Sequence, residues 1–201
     1  MKKVILAALI LLSLAKTTNA QQGSILLYGN LGFSSTSSTE GSNTTKGTNF
    51  SIMPGVGYQF NDKWTTGLNI GIISNSTTPN GGTSSTTSTF NIGPFLRYTK
   101  PLSNIFSVYG QLDLGYTSTS YPTVDGVSTP SLSGFAASVW PAIAINVNNG
   151  FALNFAFGAI SYSSNSQTVS GTKNSSNSFG ISFGSGASFG VSKNFGGSSK
   201  K

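Results

Sequence analysis

The chain has 201 residues, no cysteine and no histidine, and only 7% of its residues are charged. The missing cysteine and histidine exclude disulfides, thiolate or imidazole metal ligands, and nucleophile–base pairs built on these residues. A typical soluble domain has roughly 25% charged residues. This chain has far fewer, and its polar residues are mainly the uncharged Ser, Thr and Asn, together with many Gly. No basic patch is interleaved with aromatic residues, which argues against nucleic acid as a partner.

The first 20 residues have the pattern of a cleavable signal peptide. Lys2 and Lys3 precede an apolar run at residues 4–14, and "TTNA" then ends in small residues at Ala20. The run is too short for a membrane-spanning helix, which needs about 20 residues. No cysteine follows it, which excludes a lipoprotein anchor. We therefore predict export of the protein and cleavage after Ala20.

The mature chain carries apolar residues at every second position in segments separated by two kinds of connection. A period of two indicates β-strands, because successive side chains point to opposite faces. Short turn sequences lie at 61–63, 101–104 and 148–150, and we interpret four Ser/Thr/Asn/Gly-rich segments as long loops: 34–48, 74–88, 117–131 and 163–177. These connections predict eight strands at 24–33, 49–60, 64–73, 89–100, 105–116, 132–147, 151–162 and 178–195. Most have about the 9–11 residues that a tilted strand needs to cross a bilayer.

One face of the predicted strands is bulky and apolar, and the opposite face is small or polar. In the second strand, Phe50, Ile52 and Val56 share the first face, and Gly55 and Gly57 share the second. A soluble sandwich would need a charged outer face, and neither face here carries much charge. The pattern favours a barrel with apolar residues toward lipid and a small interior. We predict that the larger inward residues are Tyr28, Phe95, Tyr109, Trp140 and Tyr162.

Three prolines occupy equivalent positions in every second strand. Pro54, Pro94 and Pro141 each precede alternating apolar residues, a short turn and an aromatic residue. Proline removes a ladder hydrogen bond and usually marks a bulge or an edge. We interpret the three as one repeated bulge-like device, with chance coincidence as the alternative.

Several segments resemble a known family. "FSIMPGVGYQFNDKW", "FNIGPFLRYTKPLSNIFSVYGQLDLGY" and "VWPAIAINVNNGFALNFAFGAISYS" are similar to the small outer-membrane β-barrel domains of Gram-negative bacteria, in the OmpA/OmpX-like class. "GVSKNF", ending at Phe195, resembles the C-terminal assembly signal of that family, although here "GGSSKK" follows the aromatic residue.

The resemblance implies an all-β, eight-stranded antiparallel up-and-down transmembrane β-barrel in the cell outer membrane. The expected organisation is a signal peptide at 1–20, a barrel at 21–195 and a short flexible periplasmic tail at 196–201. The short turns and both chain ends would lie in the periplasm. The expected partners are outer-membrane lipid and, during insertion, the barrel-assembly machinery.

The candidate functional residues lie on the inward face. Arg97 is the only arginine, and Asp113 is the only acid within a predicted strand; with Tyr109 and Gln111 they are the barrel-interior polar candidates. Arg97 and Asp113 fall on adjacent strands, but the hairpin geometry places Arg97 nearer Tyr109 and Gln111. Two interpretations remain open: a gate or ligand-binding charge, or a structural polar network that fixes the strand register.

The sequence favours a structural or cell-surface interaction role without catalysis, cofactor or metal. The remaining acids, Glu40, Asp62 and Asp125, are scattered over loops and turns, and no general base accompanies the abundant serines. The long loops could contact host, phage or other cell-surface partners. The alternatives are a narrow porin-like channel for ions or small solutes and a soluble secreted β-sandwich adhesin.

Overall fold

The computed structural model describes residues 23–80, 82–123 and 129–196. The predicted signal peptide, its cleavage site at Ala20 and residues 197–201 of the predicted tail lie outside the described residues. Eight strands account for most of the described chain: β1 Ile25–Glu40, β2 Asn43–Gln59, β3 Trp64–Thr78, β4 Ser85–Pro101, β5 Phe106–Ser120, β6 Leu132–Asn148, β7 Phe151–Val169 and β8 Thr172–Phe195. No helix within this part of the chain is long and apolar enough to cross a membrane.

The strands form one closed antiparallel ring. Each strand pairs with the next in the chain, and β1 pairs with β8. Closure gives every strand two neighbours, and wherever both ladders are formed the backbone groups are satisfied without a free sheet edge. The predicted eight-stranded up-and-down barrel is therefore confirmed, and the alternative of a two-sheet sandwich is wrong.

The two ends of the barrel differ. The proximal end carries Gly23, Phe195 and the turns at 60–63, 102–105 and 149–150, whereas the distal end carries the four hairpin tips. The described residues of these tips are 41–42, 79–80, 82–84, 121–123, 129–131 and 170–171. The two-residue tips contain Gly41 and Gly171, each with a positive φ that suits glycine at a tight turn.

The four predicted long loops are the main correction to the sequence analysis. In 34–48, 74–88 and 163–177 most residues continue the strands, which contain 15 to 24 residues. The segment 117–131 differs, because β5 ends at Ser120 and β6 begins only at Leu132. Hydroxyl side chains of the continued strands pair across the ladders: Thr39 Oγ1 lies 3.1 Å from Thr44 Oγ1, and Ser76 Oγ lies 2.6 Å from Thr86 Oγ1. Threonine favours strands and cross-strand hydroxyl pairs stabilise them. The apolar alternation is absent there because neither face of these segments is apolar.

The apolar side chains of the membrane-sized part of each strand point outward. Phe33 is 71% exposed and Phe179 67% exposed, whereas the inward Leu26 and Phe95 are buried. Tyr162 is an exception to the predicted faces, because it is 43% exposed and lies opposite Phe179 on the outer surface. The β7–β8 register shifts between Ala156 and Gly158, and this bulge reverses the parity of β7 beyond it.

The bulge-like feature predicted at the three prolines is present in part. The pairing of Pro54, Pro94 and Pro141 with the preceding strand is continuous, to Gly29, Leu68 and Gly110 respectively. On the side of the following strand, the ladder is interrupted at each proline. Only at Pro141 does the register also shift. The repeated feature is thus a gap in the ladder, and a register-changing bulge accompanies it once.

The junction between β1 and β8 is the shortest in the ring. Residues 25–30 of β1 pair with residues 190–195 of β8. Among the described pairings, β1 beyond Asn30 pairs with β2, and β8 before Gly190 pairs with β7. Leu31, Phe33 and Phe189, which lie next to the end of the β1–β8 pairing, are strongly exposed. The described pairing of these two strands thus covers only the proximal part of the barrel wall.

Candidate functional site

A cluster of inward side chains crosses the barrel interior, and we call it the plug. Its members come from five strands and combine polar groups with aromatic rings: Tyr28, Asn69, Phe95, Arg97, Tyr109, Gln111, Asp113 and Trp140. The register places Arg97 opposite Gln111, and Gln111 opposite Trp140. Gln111 is 1% exposed and stands at the centre of the cluster.

Arg97 is held in an aromatic environment without a carboxylate as its hydrogen-bond partner. Its side chain is 4% exposed, and its Nε donates to Gln111 Oε1 at 2.7 Å. The guanidinium carbon lies 4.2 Å from the centre of the Tyr109 ring and 4.5 Å from that of Tyr28. Desolvated cation–π contacts of this kind stabilise a guanidinium by about 2 kcal/mol. Its Nη2 is buried and has no hydrogen-bond partner.

Asp113 accepts hydrogen bonds from three uncharged donors. Asn69 Nδ2 and Gln111 Nε2 each donate to its Oδ1 at 2.7 Å, and Trp140 Nε1 donates to its Oδ2 at 2.5 Å. Gln111 Nε2 also donates to Tyr28 Oη at 2.9 Å. Gln111 therefore links the arginine to the carboxylate. Tyr109, Gln111, Arg97 and Asp113 all lie inside the barrel, with Arg97 next to Gln111 and Tyr109.

Asn69 and Trp140 are the two plug residues whose role the sequence analysis missed. Trp140 was predicted to face inward, but neither residue was assigned to Asp113. The signal was available in part, because Trp140 is directly opposite Gln111 once strands β5 and β6 are paired in a hairpin. Asn69 lies two strands away from Asp113, and only the curvature of the closed ring brings these side chains together.

Inward glycines make room for the plug. A Cβ added to Gly55 would overlap the Tyr28 ring, and one added to Gly57 would lie 2.7 Å from Phe95 Cζ. The Tyr28 and Phe95 rings meet edge to face with their centres 5.2 Å apart. An eight-stranded barrel is just wide enough for its interior to be filled by side chains. The glycine-rich inner face thus allows two large rings and an arginine to share one level of the barrel.

The plug lies between two interior cavities. The distal cavity, of about 700 Å³, is lined by Asp113, Trp140 and the small residues of β6, β7 and β8. The proximal cavity, of about 770 Å³, is lined by Arg97, Tyr109 and many hydroxyl and amide side chains. The carboxylate therefore faces the distal cavity and the guanidinium the proximal one. Within the described residues, no group of three or more acidic, histidine or cysteine side chains could hold a metal ion.

Phe195 ends β8 and pairs with Ile25, at the proximal end of the β1–β8 junction. Lys193 lies on the same strand, with its Nζ 5.9 Å from the Phe195 ring and bonded to the Asn149 carbonyl at 2.6 Å. The role of Phe195 as an assembly signal stays a prediction.

A closed ring of eight antiparallel strands with an apolar outer face and a polar interior defines the class of small outer-membrane β-barrels. The family model described as "Outer membrane protein beta-barrel domain" matches residues 4–157, and the chain belongs to this family. Among curated proteins, none matches the chain.

Two solved structures resemble the fold. The outer membrane protein OprG from Pseudomonas aeruginosa is 14% identical, with a TM-score of 0.52 over 88% of this chain and 98% of that one. Neisserial surface protein A (NspA) is 16% identical, with a TM-score of 0.51 over 89% of this chain and 100% of that one. At these identities the likeness extends to the fold alone.

Proposed function

We propose that the protein resides in the cell outer membrane and has a structural or surface-interaction role without catalysis. In this role, the barrel anchors a rigid polar collar, which we define as the distal parts of the strands in the four Ser/Thr/Asn-rich segments. The observation that carries the proposal is that most residues of three of these segments, 34–48, 74–88 and 163–177, are paired strands in place of loose loops. Outer-membrane lipid is the partner of the apolar outer face.

The strands are longer than the membrane requires. A strand of 16 residues, such as β1, is about 53 Å long at 3.3 Å per residue, and a tilt of about 40° leaves a height of about 40 Å. The apolar band of an outer-membrane barrel is about 25 Å tall. About 15 Å of ordered sheet therefore remains outside the apolar band.

The distal end is the one that we expect to face the cell exterior. The chain ends and short turns are proximal, and outer-membrane barrels have short periplasmic turns and longer extracellular connections. The collar would then present rows of Ser, Thr and Asn side chains to host, phage or neighbouring cells. Insertion would depend on the barrel-assembly machinery, and the mature chain would begin after Ala20.

Shortening the collar tests the surface role. Deleting residues 37–40 with 43–46, and residues 166–169 with 172–175, removes whole cross-strand pairs and keeps both two-residue tips. We expect the variant to fold, with heat-modifiable migration on gels, but to lose most of the adhesion, aggregation or phage adsorption conferred by the full chain. Asp62→Asn in a proximal turn is the control and should behave as the unaltered protein. Equal activity of the shortened and full chains in all three assays would contradict the proposal.

A narrow channel is the second candidate, and the two interior cavities favour it. The plug interrupts the path between them, so the purified full chain is expected to give no steady currents in planar bilayers. Gln111→Ala removes the link between Arg97 and Asp113 and is expected to produce brief openings. Sustained conductance of the unaltered protein, after confirmed insertion, would support the channel over the closed structural barrel.

A further inference from the structure

Arg97 has one buried nitrogen, with two N–H donors, that the protein leaves unused. Its Nη2 is buried and has no partner, whereas its Nε is bonded to Gln111. Buried polar groups in proteins are almost always hydrogen-bonded, and an unsatisfied one costs about 1–3 kcal/mol or more when it is charged. Since Arg97 lines the proximal cavity, this cavity is the place from which an acceptor can reach the guanidinium.

The charge of the proximal cavity favours an anion. Among the described residues that line it, Arg97 is the only cation, and Asp62, in an exposed turn, is the only acid. Asp113, which could neutralise Arg97, is held on the other side of Gln111 by three donors of its own. The positive charge is thus directed into a partly enclosed space, where a low dielectric strengthens its attraction for an anion.

The walls of the cavity add neutral donors and acceptors. Thr65, Ser107 and Ser192 are buried there and carry hydroxyl groups, which can donate to an oxyanion. Asn154 and Asn194 line the same cavity, and the Oδ1 atom of each is a buried acceptor without a partner. A hydrogen phosphate or a singly protonated phosphate monoester offers acceptor oxygens for the arginine and one P–OH group that can donate to an amide oxygen.

We propose that the proximal cavity is a binding site for a small phosphate-bearing anion, with the Arg97 guanidinium as its principal donor. The site goes beyond the proposed surface role and does not depend on it, because it opens at the opposite end of the barrel. Arginine is suited to this task because its planar fork donates two hydrogen bonds to a phosphate, and its faces are already fixed by Tyr28 and Tyr109.

The composition of the chain allows a direct test on the unaltered protein. Arg97 is the only arginine, so arginine labelled with ¹⁵N gives the guanidinium signals of this one side chain. The folded mature chain in detergent micelles is titrated with inorganic phosphate in a phosphate-free buffer at constant ionic strength. We expect a saturable shift of the Arg97 side-chain signals. Signals that do not move, or that move without saturation, would overturn the proposal.

Two variants separate a site from a general charge effect. Arg97→Lys keeps the charge but not the fork, and we expect phosphate affinity by calorimetry to fall about tenfold or more. Lys63→Gln removes an exposed cation in a proximal turn and should leave the affinity unchanged. Equal losses in both variants would show attraction by overall charge only and would overturn the assignment to Arg97. Heat-modifiable migration confirms that each variant is folded. If Arg97→Lys does not fold, the titration of the ¹⁵N-labelled unaltered chain alone tests the phosphate site.

Discussion

Replacing Gly93 with valine is expected to prevent closure of the barrel. Gly93 is an inward, buried residue of β4, and an added Cβ would overlap Leu114 O and lie 2.8 Å from the Leu114 carbonyl carbon of β5. These are backbone atoms, so the two strands would have to move apart. We expect a cost above the about 1–3 kcal/mol typical of overpacking, since that range describes side chains that can adjust.

The measurement is the fraction of refolded protein with heat-modifiable migration in detergent, and Gly93→Val should leave little of it. Gly110→Val is the matched control on the neighbouring strand, because a Cβ at Gly110 meets nothing within 4 Å and the residue is exposed. The control should fold as the unaltered chain does. A normal folded fraction for Gly93→Val would show that β4 and β5 do not approach each other this closely.

Replacing Asp113 with leucine is expected to destabilise the folded barrel by about 2–5 kcal/mol. The change leaves three donors, from Asn69, Gln111 and Trp140, without their carboxylate. An orphaned buried donor costs about 1–3 kcal/mol. The sum is reduced because Gln111 Nε2 keeps its bond to Tyr28 Oη, and because water in the cavity that Asp113 borders can replace part of the loss. The free energy of unfolding is measured by urea titration in lipid vesicles, followed by tryptophan fluorescence.

Two further variants define the origin of this loss. Asp113→Asn keeps the shape and one acceptor oxygen, and we expect a smaller loss than for leucine. Asp62→Leu removes an acid from an exposed turn and should change the free energy of unfolding by less than about 0.5 kcal/mol. An Asp113→Leu barrel as stable as the original would mean that the plug does not stabilise the fold.

The sequence predicted the structure correctly wherever residues along a strand must alternate between an apolar side chain facing lipid and a small or polar side chain facing the interior. Phe50, Ile52 and Val56 had to be apolar because they face outward, and Gly55 and Gly57 had to be small because rings lie beside them. The inward placement of Arg97 and its pairing with Gln111 follow from the same alternation together with a short turn. These features depend on strand parity and hairpin register, which are local properties.

The incorrect and missing predictions concern places where this alternation is absent or interrupted, or where the contact is not local. The distal Ser and Thr residues have no apolar face, so their alternation gives no signal although they continue the strands. Tyr162 was assigned to the wrong face because a bulge near Gly158, whose φ is 138°, is invisible to a strict period of two. The contact of Asn69 with Asp113 crosses two strands and depends on the curvature of the ring.

The short β1–β8 junction makes the end of the chain responsible for completing the cylinder. The segment of β8 that pairs with β1, residues 190–195, is also "GVSKNF", the stretch that resembles an assembly signal. A strand edge cannot hold an assembly partner and β1 at the same time. If this segment is the signal, its pairing with β1 displaces the assembly partner and completes the β1–β8 ladder in the same step. An incompletely closed barrel would then stay bound to the assembly partner until this pairing forms.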